Sequence, residues 1–347
     1  MKYRFKYAAL MMALVMLLPL LAGCGQNQPQ PQPTATAQTI NAEKTSQVGF
    51  FFDTVVTLTL YGAPEGLMQE LMDACSRYER LLSKTVEDSD VYRINHAGGE
   101  PVQVDPETWQ IISRAKNISA ETEGAFSITI APLTEQWHFT TGEAIVPPDE
   151  VLQPLLPLVD DSAIELGENN TVRLPKGMQI DLGGIAKGYI ADSIAALCRG
   201  RIVGGTLNFG GNIYAVGEKP DGSPFRIGVT DPQDKSGSPI AIIEMKDKTT
   251  VTSGTYERFF LLNGVTYHHI LNPKTGSSAV TDLTSCTIVG DSSMDADAYA
   301  TACIVFGREK AMAFLEQHHL DGLLIDGDNK IYPTPGFADK YPLTILK

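Results

Sequence analysis

Apolar residues recur along most of this chain with a period of two, in short runs separated by glycine- and proline-bearing turns, and only a few stretches carry a helical period. Over residues 50–61, Val56, Leu58 and Leu60 alternate with Thr57 and Thr59, which predicts a half-buried strand that Gly62-Ala63-Pro64 terminates. Residues 65–82 instead place Leu67, Leu71, Cys75, Tyr78 and Leu82 on one helical face. Asp105-Pro106 supplies a cap and a first-turn proline for a second helix carrying Ile111, Ile112, Ala115 and Ile118. Gly124 stops it, and a strand is expected next.

Beyond a leucine- and proline-rich connector at 152–167, Thr171-Val-Arg-Leu174 and Met178-Gln-Ile-Asp181 read as a hairpin that delivers Asp181 at a strand end. A helix over 185–199 follows, with Ile190, Ile194 and Leu197 as its buried stripe, then strands at 207–209, 213–216, 225–229, 240–245 and 249–252. The C-terminal part predicts a strand at 283–289, a helix at 293–306, another running through His318, and a strand at 323–325 paired with Ile331-Tyr332. Strands outnumber helices and cluster as hairpins, so the expected class is a mixed α+β fold with antiparallel hairpins rather than a doubly wound parallel sheet. No internal repeat or transmembrane segment is visible.

The 347 residues are 43% hydrophobic, which suits one large two-lobed domain or two fused domains and not a disordered chain. Residues 1–23 stand apart, because Lys2, Arg4 and Lys6 precede an apolar run ending Leu21-Ala-Gly-Cys24, the pattern of a secretory signal. That ending resembles the bacterial lipobox, which makes Cys24 the expected lipidation site; the run is short for a membrane span of about 20 residues. Residues 24–47, rich in Gln, Pro, Thr and Ala, read as a flexible spacer, and 48–347 as the folded domain. A protein tethered by lipid to the extracytoplasmic face of the bacterial cell membrane is the expectation. The formal net charge is −14, and loss of the signal makes it more negative, so no nucleic acid is expected as a partner. Cys75, Cys198, Cys286 and Cys303 form no C-x-x-C pair and sit among apolar neighbours. That argues for buried thiols over a zinc ribbon and leaves disulfides open in an oxidising compartment.

Candidate chemistry begins at Asp181-Leu-Gly-Gly-Ile-Ala-Lys-Gly-Tyr189. A glycine pair opening a helix lets a phosphate approach the main chain, free N–H groups of the first turn favour an anion, and Lys187 adds a positive charge. The run fails the P-loop pattern, since Tyr189-Ile190 stand where Lys and Ser/Thr are required, and no G-x-G-x-x-G follows a strand. Asp297 and Thr301 are four apart, so on a helix they present a carboxylate and a hydroxyl to one hard cation, magnesium or calcium. Spacing alone favours a plainer account, with Asp295 and Asp297 answering the helix macrodipole and Thr301 bonding back to a carbonyl. Adjacent side chains on a strand point to opposite faces, so only one of His268 and His269 faces a given pocket; a structural or exposed histidine is the commoner account, and beside a phosphoester ligand one neutral imidazole can take a proton from a hydroxyl. Phe52, Ser127 and Thr129 fit core or surface roles as well as ligand contacts.

These segments, together with Asn208-Phe-Gly-Gly-Asn212, Thr252-Ser-Gly-Thr-Tyr-Glu-Arg258, His268-His-Ile-Leu-Asn-Pro-Lys-Thr-Gly276 and Ala296-Asp-Ala-Tyr-Ala-Thr301, resemble in kind and order the ApbE-like family of FAD:protein FMN transferases, over about residues 50–325. The resemblance implies a two-lobed mixed α/β, T-fold-like domain with its ligand site between the lobes. It implies magnesium on Asp297, Thr301 and the main-chain oxygen of Gly184, FAD contacts from Asp181 and Lys187, and Leu271 lining the flavin site. Phe52, Thr85 and the loop Ala125, Phe126 and Ser127 are further implied FAD contacts. Three departures occur: Ser127 replaces a frequent Asp, Asn272 replaces the Asp of His-Ile-x-Asp-Pro, and Phe52-Asp53-Thr54 replaces Met-Gly-Thr. None alters an implied metal ligand.

The implied activity is magnesium-dependent transfer of FMN from FAD to a Ser or Thr hydroxyl of an acceptor flavoprotein, a subunit of a membrane redox complex, with His269 activating the hydroxyl and AMP leaving. Two other readings use the same pocket: metal-dependent FAD hydrolysis to FMN and AMP, and a non-catalytic FAD-binding lipoprotein. The latter needs neither His269 nor the Asp297/Thr301 pair.

Overall fold

In the computed structural model, which describes residues 42–139 and 144–347, the alternating run at 50–61 is the second arm of a hairpin. β1 (Lys44–Phe51) pairs antiparallel with β2 (Thr54–Tyr61), and Val56, Leu58 and Leu60 are fully buried. β1 begins at Lys44, within the segment expected as spacer; the expected signal and Cys24 lie outside the described residues. The strand expected to run through Phe52 breaks there, because Phe52 and Asp53 form the turn at φ 57° and 55°. A two-residue connection matching strand twist demands that conformation, which glycine adopts with least strain.

α1 (Leu67–Leu82) buries the predicted face. α2 (Asp90–His96) has no counterpart in the sequence pattern and is set by its cap, the Ser89 hydroxyl accepting from Tyr92 N. β3 (Val102–Gln103) precedes α3 (Pro106–Glu121), whose N-cap is Asp105 as expected. No strand follows Gly124. Residues Ile128–Ile130 form a 3₁₀ turn and Ala131–Thr134 a short helix, because the buried Asp161 carboxylate accepts from the N–H groups of Ile128 and Thr129 that a ladder would need.

The hairpin expected to end at Asp181 is also absent. β4 (Glu165–Gly167) and β5 (Thr171–Arg173) pair instead with β3 in the order β3-β5-β4. The chain before Asp181 is held by one side chain: Asn95 accepts from Ile180 N at 2.8 Å and donates to Ile180 O at 2.9 Å, copying a strand partner. Asp181 N then donates to Ile128 O.

The second half keeps the order of the predicted elements and adds strands at Phe259–Leu262 and Leu343–Ile345, which the sequence pattern did not single out. α4 (Ala186–Cys198) leads to β6 (Gly204–Phe209), β7 (Asn212–Gly217), β8 (Phe225–Thr230), β9 (Pro239–Met245), β10 (Lys248–Gly254), β11 (Phe259–Leu262), β12 (Val265–His268) and β13 (Leu283–Gly290). α5 (Ser293–Phe306), α6 (Arg308–Gln317), β14 (Asp321–Asp326), β15 (Ile331–Pro333) and β16 (Leu343–Ile345) complete it.

Eight strands form one antiparallel sheet, β1-β2-β6-β7-β10-β13-β14-β15. Alternation along β14 shows its two faces, with Leu324 in the core under the helices and Leu323 and Ile325 in a second core under the sheet β16-β9-β8. The result is three layers, and the described residues from 42 onward belong to one compact unit. β11 and β12 form a separate hairpin, backed by a small core of Leu133, Trp137, Leu152 and Leu271. Cys75, Cys198, Cys286 and Cys303 are free, buried thiols, so no disulfide forms among the described residues.

α4 and α5 touch at Gly188. A Cβ there would sit 2.2 Å from Ser293 O, so only glycine permits this approach. Asp192, one turn on, accepts from Ser293 N and Met294 N and caps α5. Gly188→Ala is therefore expected to lower unfolding free energy by about 2 kcal/mol or more in urea titrations, since backbone rather than a flexible side chain must yield. Unchanged stability would mean the helices are not locked at this contact.

Candidate active site

α5 decides between the two accounts of its acidic residues. Its first turn is capped by Ser292 and Asp192, and Asp295 is held by Arg114 in a bidentate pair at 2.9 and 3.0 Å. Asp297 neither caps the helix nor pairs with a cation; it is buried, and Oδ2 accepts from Gly188 N at 3.0 Å. The macrodipole account therefore does not cover Asp297. Thr301, one turn on, does bond back to Asp297 O at 3.2 Å as that account expects, and its hydroxyl also meets Ser253 Oγ at 3.3 Å. Gly184 faces it, since a Cβ built on Gly184 would lie 3.8 Å from Thr301 Oγ1 and 3.2 Å from the Phe126 ring.

A buried carboxylate, a hydroxyl and a closely approached main chain form a set of hard oxygens that suits a hard divalent cation. No group of three His, Cys, Asp or Glu side chains that could hold a metal occurs among the described residues.

The Gly183-Gly184 turn differs from expectation. Its N–H groups are largely engaged: Gly183 N donates to Asp181 Oδ1, Ile185 and Ala186 to Leu182 O, and Gly188 to Asp297. Positive charge is supplied by side chains instead. Lys187 Nζ is anchored on Gly183 O at 2.9 Å, and Lys84, which the sequence did not single out, pairs with Asp181 at 2.9 Å. Burial would raise the Asp181 carboxyl, but Lys84, the Gly183 N–H and Lys187 hold it below the ordinary carboxylate value.

His268 and His269 divide as the strand alternation requires. His268 Nε2 meets Ala279 O at 3.0 Å and is a structural residue. His269 turns toward Arg258 and Lys187; its Nδ1 is buried without a partner, and burial first, then the charges of Arg258, Lys187 and His268, push the imidazole down to about 3. Glu257 stands across the same cleft, reached by solvent yet pushed up by desolvation and by Asp297 against the pull of Lys187 and Arg258. It belongs to the Thr252–Arg258 motif, where no local pattern marks it out. Arg258 reaches back to Asp53 O at 3.4 Å, and a Cβ on Gly210 would strike Thr54 Oγ1, so the turns at 52–53 and 210–211 close one end of the site.

The remaining candidates are less central. Phe52 sits at that turn, its N–H on Glu79, while Thr85 is exposed beside Lys84 and bonds Ser83. Ala125 and Phe126 are buried, with Phe126 against Gly184. Ser127 and Thr129 give their hydroxyls to Asp161, each at 2.6 Å, and Ser127 borders a cleft of about 340 Å³ together with Gly124, Asp161 and Lys274. Leu271 is buried in the small core with Leu133 and Trp137.

Known proteins resemble this chain in sequence and in fold. The model of the ApbE family matches residues 52–324. An FAD:protein FMN transferase of Treponema pallidum is 34% identical over 291 residues, covering 79% of this chain and 80% of its own. One from Klebsiella pneumoniae is 34% identical over 281 residues, covering 80% and 87%. Among solved structures, the ApbE protein of Thermotoga maritima superposes with a TM-score of 0.79 at 30% identity, over 85% of this chain and 98% of that one. The flavin transferase ApbE from Vibrio cholerae gives 0.77 at 28% identity, over 86% and 99%.

The depressed imidazole fixes a pH effect. Between 6.5 and about 3 the unfolded chain binds a proton at His269 that the folded chain refuses, so this group makes stability fall as pH drops through that window. His269→Gln should remove the penalty: thermal melts of the variant are expected to gain on the wild type between pH 7 and pH 5. A constant difference across that range would count against a buried neutral His269.

Proposed function

The chain belongs to the ApbE family and is an FAD:protein FMN transferase, and we propose that it works with magnesium on a Ser or Thr hydroxyl of a flavoprotein subunit of a membrane redox complex, from a lipid tether at Cys24 on the extracytoplasmic face. What supports the metal-assisted reading is the meeting of Gly184, before α4, with Thr301 on α5 one turn from the buried Asp297. Asp297, Thr301 and the Gly184 carbonyl would hold magnesium, which supplies neutralisation of charge on the diphosphate.

The chain's own residues do the rest. Lys187, pinned on Gly183 O, offers the diphosphate a fixed positive charge, and Lys84 and Asp181 extend the polar wall beside it. His269 is neutral in the free protein and so keeps a ring-nitrogen lone pair that can take the acceptor hydroxyl proton. As that oxygen bonds to the phosphorus on the riboflavin side, the bridging P–O bond breaks, AMP leaves and the acceptor carries FMN as a phosphoester. An anion against Lys187 and Arg258 offsets part of the charge that depresses His269, so the base strengthens when FAD is present. A tether confines enzyme and acceptor to one surface and raises their effective concentration.

With FAD, magnesium and an acceptor domain, the protein is expected to add one FMN to the acceptor by intact mass. His269→Ala should slow this about 100-fold or more, and Asp297→Ala or chelation should stop it. Free FMN beside an unmodified acceptor would instead identify an FAD hydrolase, and FAD binding without product a carrier. Protein extracted from membranes should show a diacylglyceryl mass on Cys24 that Cys24→Ser removes; an unmodified N-terminal cysteine would refute the tether.

A further inference from the structure

A protein substrate must bring its hydroxyl to His269, and the hairpin that leads to His269 is covered on one edge at His268 and open along the other. β11 and β12 pair only with each other, Phe259 opposite His268 and Leu261 opposite Thr266. His269 N donates to Arg258 O at 3.0 Å, so Arg258/His269 is a bonded pair, and antiparallel alternation leaves Phe259/His268 and Leu261/Thr266 unbonded across the hairpin. The main-chain groups of those four residues therefore point outward.

On the β12 side the outward groups are covered at the site. The Ser278 hydroxyl accepts from His268 N and donates to His268 O, both at 2.7 Å. On the β11 side, Phe259 and Leu261 have no main-chain partner outside the hairpin among the described residues. Their side chains, 51% and 64% exposed, stand on one face beside that edge. Proteins ordinarily blunt an apolar edge with charge, proline or a covering segment, and here none of these is present among the described residues. Past Arg258 the apolar surface resumes at Phe50 and Val55, a cross-strand pair on the hairpin whose turn receives the Arg258 hydrogen bond.

We propose that the free edge of β11 is the docking strand for an extended segment of the acceptor protein, which adds to the hairpin through the main chain of Phe259 and Leu261. The segment runs toward Arg258, where its Ser or Thr enters the cleft before His269. Main-chain bonds supply sequence-tolerant affinity, and every second acceptor side chain rests on the face of Phe259 and Leu261, which favours small or apolar residues there. The inference rests on the transferase reading above.

Leu261→Pro tests it, because proline removes the outward N–H while leaving every bond to β12 intact. The probe is a library of short synthetic peptides with one central Thr, from which the wild-type protein, with FAD and magnesium, selects the peptide it loads best with FMN. For that peptide Leu261→Pro is expected to raise KM about tenfold, as loss of one well-placed hydrogen bond implies, while FAD affinity is retained. Thr266→Pro, at the same level on the opposite edge, should leave transfer unchanged, and Leu261→Thr should keep most of it. An unchanged KM in Leu261→Pro, or equal losses in both proline variants, would overturn the docking edge. If the wild type loads a folded acceptor domain but no peptide, an extended segment is not what it recognises and the inference falls while the transferase reading stands. If it loads neither, the transferase reading itself fails.

Discussion

The close approach of α4 to α5 at Gly188 is the constraint on which the site depends. With a Cβ excluded by Ser293 O, the Gly188 N–H comes within hydrogen-bonding distance of Asp297 and fixes that carboxylate inside the core. Asp192 repeats the link one turn along by capping α5. The turn before α4 is thereby set against Thr301, and two stretches far apart in the chain become one surface. Burying Asp297 costs free energy that a single N–H does not offset, and a cation at this place would repay it.

The electrostatics follow from that placement. The chain is strongly acidic, yet Lys84, Lys187 and Arg258 gather around the cleft, where they stand against the carboxylates of Asp181, Glu257 and Asp297. Crowding raises Glu257, depresses His269 and leaves Asp181 ionised by virtue of its lysine. Groups that solvent reaches but that nevertheless feel strong desolvation are what the walls of a cleft shaped for a charged ligand would produce.

Much of the scaffold was legible because local periodicity and local caps dictate it. α5 was predicted with its observed ends, α3 with its Asp105 cap, and the strands from β6 to β10 within a few residues. Failures fell where a distant side chain replaced a local partner. Asn95 substitutes for the strand expected beside Ile180, Asp161 captures the N–H groups of 128 and 129, and Asp297 takes the Gly188 N–H in the first turn of α4, where free N–H groups were expected. No short window of sequence contains both members of any of these pairs.

The order of motifs, the alternation of β2 and the i, i+4 spacing of Asp297 and Thr301 were fixed by the sequence alone, since they depend only on covalent neighbours and on the geometry of one element. Which carboxylate caps α5, which is paired with Arg114 and which is buried beside Gly188 was decided only in three dimensions. The same holds for the choice of His269 over His268, for Lys84 joining Asp181, and for the open edge of β11. Burial and charge at each of these atoms come from segments that chain distance separates and packing brings together, and the free energy of a polar group is set by those neighbours.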